Sequence, residues 1–147
     1  MNTLTHNSAM RNELLNQLSD PPTATFILRV TLGMVLLAHS LYLKLMVFTL
    51  PGTAQFFVSI GLPGMLAYAV FGIEVVAGIA LVLGIKTRLF SALVIPVLLG
   101  ATWAHSSNGW LFTNGGGGWE YPLILTVMAI VQAGLGNGKF AISSEQN

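Results

Sequence analysis

Four runs of apolar residues, roughly 23–45, 64–84, 89–106 and 119–136, dominate this 147-residue chain. At 1.5 Å per helical residue they reach about 34, 31, 27 and 27 Å, against a bilayer hydrocarbon core of about 30 Å. The third run carries no charge, and the second and fourth carry one each. Lipid offers backbone amides no partner, and a helix satisfies them within its own run. Strands of a membrane barrel alternate apolar and polar residues, which these runs do not. The predicted fold is all-α: an integral membrane four-helix bundle in contact with the lipid bilayer.

Composition excludes the main competitors. Charged residues make up 7% of the chain, against about 25% in soluble domains, too few to give a soluble domain its polar shell. A net charge of +1 cannot track a phosphate backbone, so no nucleic acid is expected as a partner. Without cysteine there is no disulfide, thiolate metal site or dithiol centre in the chain.

The sequence divides into a tail (1–22), a transmembrane domain (23–138) and a C-terminal tail (139–147). The first tail has no apolar signal-peptide core. In it Met10, Leu14, Leu15 and Leu18 follow helical spacing among polar residues. That pattern fits an amphipathic helix lying on the membrane face, ended by Asp20-Pro21-Pro22; a solvated tail is the alternative. Outside the spans, Arg11, Lys86, Arg88 and Lys139 all fall on one side, while loops 46–63 and 107–118 hold no Lys or Arg. Both termini are therefore expected to be cytoplasmic, in the inner membrane. Tyr42, Trp103, Trp110, Trp119 and Tyr121 then form an aromatic belt at the opposite face. Phe56, Phe57 and Ile60 read as an apolar turn on that surface, and the run Asn114-Gly115-Gly116-Gly117-Gly118 as a flexible hinge.

Ionisable residues inside spans carry the functional signal, since each costs at least about 2.5 kcal/mol on insertion scales. Arg29, His39 and Lys44 lie in the first span, Glu74 in the second, and His105 and Glu120 near the outer ends of the third and fourth. Helical rise puts His39 and His105 about 24 Å from the cytoplasmic ends, with Glu120 at a similar height. Two histidines at matched depth beside a carboxylate can serve a neighbouring helix, a metal, an axially ligated haem, or the carbonyls and protons of a quinone. No CxxCH or HExxH spacing supports the metal or covalent haem versions. Glu74 lies near mid-membrane. It reads either as half of a register-fixing ion pair with Arg29 or as a protonatable group on a transport or redox path. Lys44 is most simply a snorkelling anchor. Pro96 is expected to kink the third span, and Gly72, Ala77, Gly78, Ala80 and Gly84 give the second a surface for close helix approach.

In order, these residues resemble the DoxX family. Arg29, Gly33, His39 and Lys44 resemble its first-helix pattern, followed by Gly61-Leu62-Pro63, Glu74 and Thr87-Arg88. His105, Gly109 and Gly118-Trp119-Glu120-Tyr121-Pro122 resemble its third-loop signature, and Gly136-Asn137-Gly138 its C-terminal glycine turn. The resemblance covers about 25–142, and its specificity lies in the ordered set. One departure stands out: the usual His-Gly-x-x-Lys becomes His39-Ser40-Leu41-Tyr42-Leu43-Lys44, one residue longer. On an α-helix that turns the lysine by about 100° relative to the histidine, against a shared role for the two.

The resemblance implies a small four-helix membrane protein. Some members are subunits of thiosulfate:quinone oxidoreductase, others take part in quinone handling or oxidative-stress complexes, and many have no defined role. The expected function is thus a quinone-interacting subunit of a membrane oxidoreductase system. His39, His105, Glu120 and Glu74 are the expected catalytic residues, and His39, His105, Trp103 and Trp119 the quinone contacts, Glu120 orienting one imidazole. A partner redox protein would supply or accept the electrons. A proton-coupled transporter built around Glu74 as a homo-oligomer, and a scaffold or assembly factor, are the alternatives.

Overall fold

The computed structural model describes residues 3–18 and 20–143. Among them every regular element is helical: α1 (Thr3–Leu18), α2 (Pro21–Leu37), a π-helical continuation (Ala38–Val47), α3 (Leu50–Ser59), α4 (Met65–Leu83), α5 (Thr87–Ala104), a 3₁₀ turn (Ser106–Asn108) and α6 (Glu120–Leu135). Asp20 ends the first segment, and Pro21 starts α2, where a missing amide donor costs nothing. Pro96 lies inside α5, whose helix runs on past it.

The bundle closes on itself: α2 packs on α4, α4 on α5, α5 on α6, and α6 returns to α2. Leu32 and Leu36 from α2, Ala77 and Leu81 from α4, Val94 and Leu98 from α5, and Leu125 and Ala129 from α6 form the core. Around them the usual polarity is inverted. Arg29, Ser40, Glu74, Thr87, Ser91, Thr126 and Gln132 are buried, whereas Met34, Val76, Ile79, Leu89, Leu99, Ile124, Val127 and Ile130 face outward. An apolar shell of this extent is stable only against lipid. Several buried hydroxyls satisfy themselves on their own helix: Ser40 donates to the Leu36 carbonyl at 2.8 Å, and Thr126 to that of Pro122 at 2.8 Å.

Among the described residues three helices are long and apolar enough to cross a membrane: Pro21–Val47, Met65–Leu83 and Thr87–Ala104. The fourth expected span is the shorter helix Glu120–Leu135, about 24 Å long. Loop 109–119 lies at one end of it and the turns of residues 136–143 at the other. The expected apolar turn over Phe56 and Phe57 is instead the helix α3. Thr49 caps it by accepting from the Gly52 amide at 3.2 Å, and Pro51 sits in its first turn.

At the end where α2 begins, residues 136–143 fold back across the bundle. The Lys139 amide donates to the Pro22 carbonyl at 3.0 Å, and the Ile142 amide to that of Leu83 at 3.1 Å. The Lys139 ammonium pairs with the Asp20 carboxylate at 2.7 Å and holds that carboxyl below its ordinary range. Arg29, fully buried, donates from Nη2 to the Lys139 carbonyl at 3.0 Å and lies 5.4 Å from the centre of the Phe26 ring. Its pairing with Glu74, left open by the sequence, does not form.

Close approach of α2 and α4 depends on two glycines. A Cβ on Gly33 would stand 2.9 Å from the Gly78 carbonyl oxygen, and one on Gly78 would stand 2.8 Å from the Leu37 side chain. Gly33→Ala is expected to cost about 1–3 kcal/mol by overpacking, which outweighs the gain of about 1 kcal/mol from replacing a helical glycine. Gly72→Ala, where an added Cβ meets nothing within 4 Å, is the control and should be neutral or stabilising. Unfolding midpoints of the two variants in one detergent measure the difference.

Candidate functional site at the loop end of the bundle

The π-helical segment decides where Lys44 points. In i→i+5 winding, residues five apart stack over one another, and the Phe48 amide bonds back to the Leu43 carbonyl at 2.8 Å in that pattern. The segment therefore absorbs the extra residue between His39 and Lys44, and the α-helical rotation expected from the spacing does not apply. Lys44 turns into the bundle and donates to both carboxylate oxygens of Glu74. Only 7% of the Glu74 side chain and 18% of that of Lys44 remain exposed, so the pair lies largely inside the bundle. This corrects the reading of Lys44 as a snorkelling anchor.

His39 sits one π-turn before Lys44. Its ring stacks on Tyr121 at the start of α6, centroids 5.8 Å apart and planes 23° from parallel. Lys44 and His105 are both close enough to interact with it electrostatically. The structure thus gathers His39, Lys44, Glu74 and Tyr121 from three helices, with His105 beside them at the end of α5. The apolar gap that helical rise places between Glu74 and the outer histidines is bridged by the Lys44 side chain.

His105 is anchored by the glycine-rich loop. Its Nδ1 lies 3.0 Å from the Gly116 carbonyl oxygen and 3.1 Å from that of Gly117. Asn108 donates to the same two carbonyls at 3.1 and 2.9 Å, and Asn114 donates to the Asn108 carbonyl at 2.9 Å. Gly116 and Gly117 have φ of 82° and 78°, the left-handed region that favours glycine. The segment expected to be a flexible hinge is a hydrogen-bonded clasp, because those backbone angles aim its carbonyls at α5.

Glu120 has a different task from the one expected. Its carboxylate accepts from the Phe112 amide at 2.9 Å, while its own amide donates to the Trp110 carbonyl at 3.1 Å. It ties the loop to the first turn of α6, and no bond to either imidazole forms. Trp119 meets Trp110 edge to face, centroids 4.5 Å apart, beneath the loop. Trp103 is 55% exposed on the outer surface of α5. Among the described residues no three His, Asp or Glu side chains converge as a metal site.

Two neighbours of these residues, Lys44 as the partner of Glu74 and Tyr121 as the partner of His39, were not assigned from the sequence. By helical rise Arg29 is nearer to Glu74 in depth than Lys44 is, so depth gave no signal for this pair, which depends on the inward turn and the reach of the lysine side chain. Tyr121 was legible only as an interfacial aromatic, since its stacking on His39 depends on the rotation of α6.

The sequence model of the DoxX family matches residues 24–107, the first three spanning helices with His39, Lys44, Glu74 and His105. A Bacillus subtilis (strain 168) protein named "Putative oxidoreductase CatD" is 39% identical over 77 residues, 52% of this chain and 55% of its own length. The chain thus spans about half the length of the curated relative it matches. No solved structure matches it significantly.

A buried ion pair should behave as a unit. In a double-mutant cycle with Lys44→Met and Glu74→Gln, the coupling is expected at about 1–3 kcal/mol, above the range of about 0.2–1 kcal/mol for exposed pairs. Denaturation of the four proteins in a common detergent measures it.

Proposed function

Because the chain belongs to the DoxX family, we propose that it is a quinone-interacting subunit of an oxidoreductase system in the inner (cytoplasmic) membrane, with both termini cytoplasmic. The observation that carries this reading is the grouping of His39, stacked on Tyr121, with His105 and the Lys44–Glu74 pair at one end of the bundle. Imidazoles hydrogen-bond ring oxygens and carry their protons, and aromatic faces line slots for flat apolar rings. The named relative is described as an oxidoreductase, which supports the redox class. The chain brings no cysteine, so the electrons pass to or from a partner redox protein.

In this reading His39 and His105 contact the quinone head, and Tyr121 keeps the His39 ring flat against α6. The Lys44–Glu74 pair sets the charge around that ring, and Glu120 shapes the mouth through the loop it holds. Trp119 contributes through its packing on Trp110, and Trp103 faces the lipid through which an isoprenoid tail would arrive. A quinone is a two-electron, two-proton carrier; the chain's own residues bind its ring and hold or move its protons at the imidazole nitrogens.

The test is quinone retained by gently purified protein, extracted and separated by chromatography. A stoichiometric quinone in the unsubstituted chain, falling at least about tenfold in a His39→Ala, His105→Ala double variant, is the expected result, as for loss of two buried polar contacts. Retention unchanged by the double variant contradicts the site. Quinone absent from every preparation, with no binding on titration, favours the proton-coupled carrier built around Glu74.

A further inference from the structure

We infer that the glycine clasp fixes His105 as the Nδ1–H tautomer, so that this end of the bundle selects a ligand hydroxyl: a hydroquinone over the corresponding quinone. The ligand class rests on the quinone reading above; the tautomer does not.

Both atoms facing His105 Nδ1 are carbonyl oxygens, of Gly116 at 3.0 Å and Gly117 at 3.1 Å. A carbonyl only accepts, so Nδ1 must bear the proton. Each of those oxygens also receives a hydrogen from Asn108 Nδ2, at 3.1 and 2.9 Å, so the single Nδ1–H is shared between two carbonyls that the Asn108 amide holds in place. The loop backbone enforces the arrangement. Gly116 and Gly117 take left-handed angles, and a Cβ on Gly118 would stand 2.2 Å from the Leu111 carbonyl oxygen, so the turn requires glycine there too. A neutral imidazole has one donor nitrogen and one acceptor. With Nδ1 committed to the loop, Nε2 is the acceptor.

His39 and the Tyr121 hydroxyl can each donate or accept, so they serve either form of the ligand and leave the preference to His105. Lys44 is engaged by both oxygens of Glu74, and Glu120 by the Phe112 amide. A quinone oxygen facing Nε2 brings one acceptor to another, and neither is satisfied. A hydroquinone hydroxyl donates to Nε2 and fills it. If its proton transfers, the O–H pair stays on the ligand oxygen and His105 becomes an imidazolium with both nitrogens protonated, its clasp unchanged.

Two measurements on the full chain in lipid nanodiscs test the inference. The first is ¹⁵N NMR of histidine-labelled protein at about pH 8, where an ordinary imidazole is neutral. His105→Asn identifies the signals by their loss, and its amide can still donate to the glycine carbonyls. A protonated Nδ1 with a bare Nε2 is expected; a protonated Nε2 overturns the inference. The second is anaerobic titration with tetramethyl-1,4-benzoquinone and with its hydroquinone. The hydroquinone should bind about tenfold more tightly, the effect of leaving unpaired an acceptor that the bound ring covers, and His105→Asn should bring the ratio close to one. Equal affinities in the unsubstituted chain overturn the selectivity. If neither form binds while the NMR gives the expected tautomer, the quinone reading falls and takes the ligand class with it.

Discussion

A lysine and a glutamate paired inside an apolar bundle set the terms for the rest of this molecule. Neither charge is tolerable alone among Leu, Val and Ile side chains, and each is placed by a different helix. Removing one partner leaves the other buried and uncompensated. The pair therefore ties α4 to the end of the first spanning helix, and it requires Lys44 to face inward. The sequence between His39 and Lys44 is one residue too long for an α-helix to meet that requirement while keeping His39 on the same face. The π-helical segment meets it, and the two residues project toward one site.

The two ends of the bundle use their polar groups differently. At the end where α2 begins, Arg29 is enclosed by Phe26 and by the returning chain at Lys139, and the bonds there are mainly to backbone. At the loop end, polar side chains meet one another: Lys44 with Glu74, His39 with Tyr121, His105 with the clasp. Between them lies the core of Leu32, Leu36, Leu81, Val94 and Leu98. Contacts between polar side chains of different helices thus gather at the loop end, and the bonds at the other end close the fold.

Much of this was legible in the amino-acid order, for identifiable reasons. Long uncharged runs fix helices in lipid, so the four apolar segments were found within a few residues of their observed limits, the fourth being the shortest. Depth along a helix follows from rise alone, so His39 and His105 were placed at matching heights. Azimuth is harder. It depends on winding, and nothing in Ser40-Leu41-Tyr42-Leu43 announces a π-helix, so Lys44 was assigned to the interface and Arg29 considered for Glu74. The glycine loop failed for a related reason. Glycine content signals freedom in a sequence, whereas here left-handed glycines are what a tight clasp needs. The chain belongs to the DoxX family, and the redox role proposed for these residues rests on a relative described as an oxidoreductase.

The π-helical segment keeps Lys44 on Glu74 despite the added residue. Deleting Leu41 restores the shorter His-x-x-x-Lys spacing, and infrared difference spectra against Glu74→Gln in the same background report whether Glu74 remains an ionised, paired carboxylate. With Leu41 deleted the segment should rewind as α-helix, the Glu74 carboxylate band should persist and the unfolding midpoint should be held or raised. Loss of that band in a protein that still folds would contradict that role of the segment.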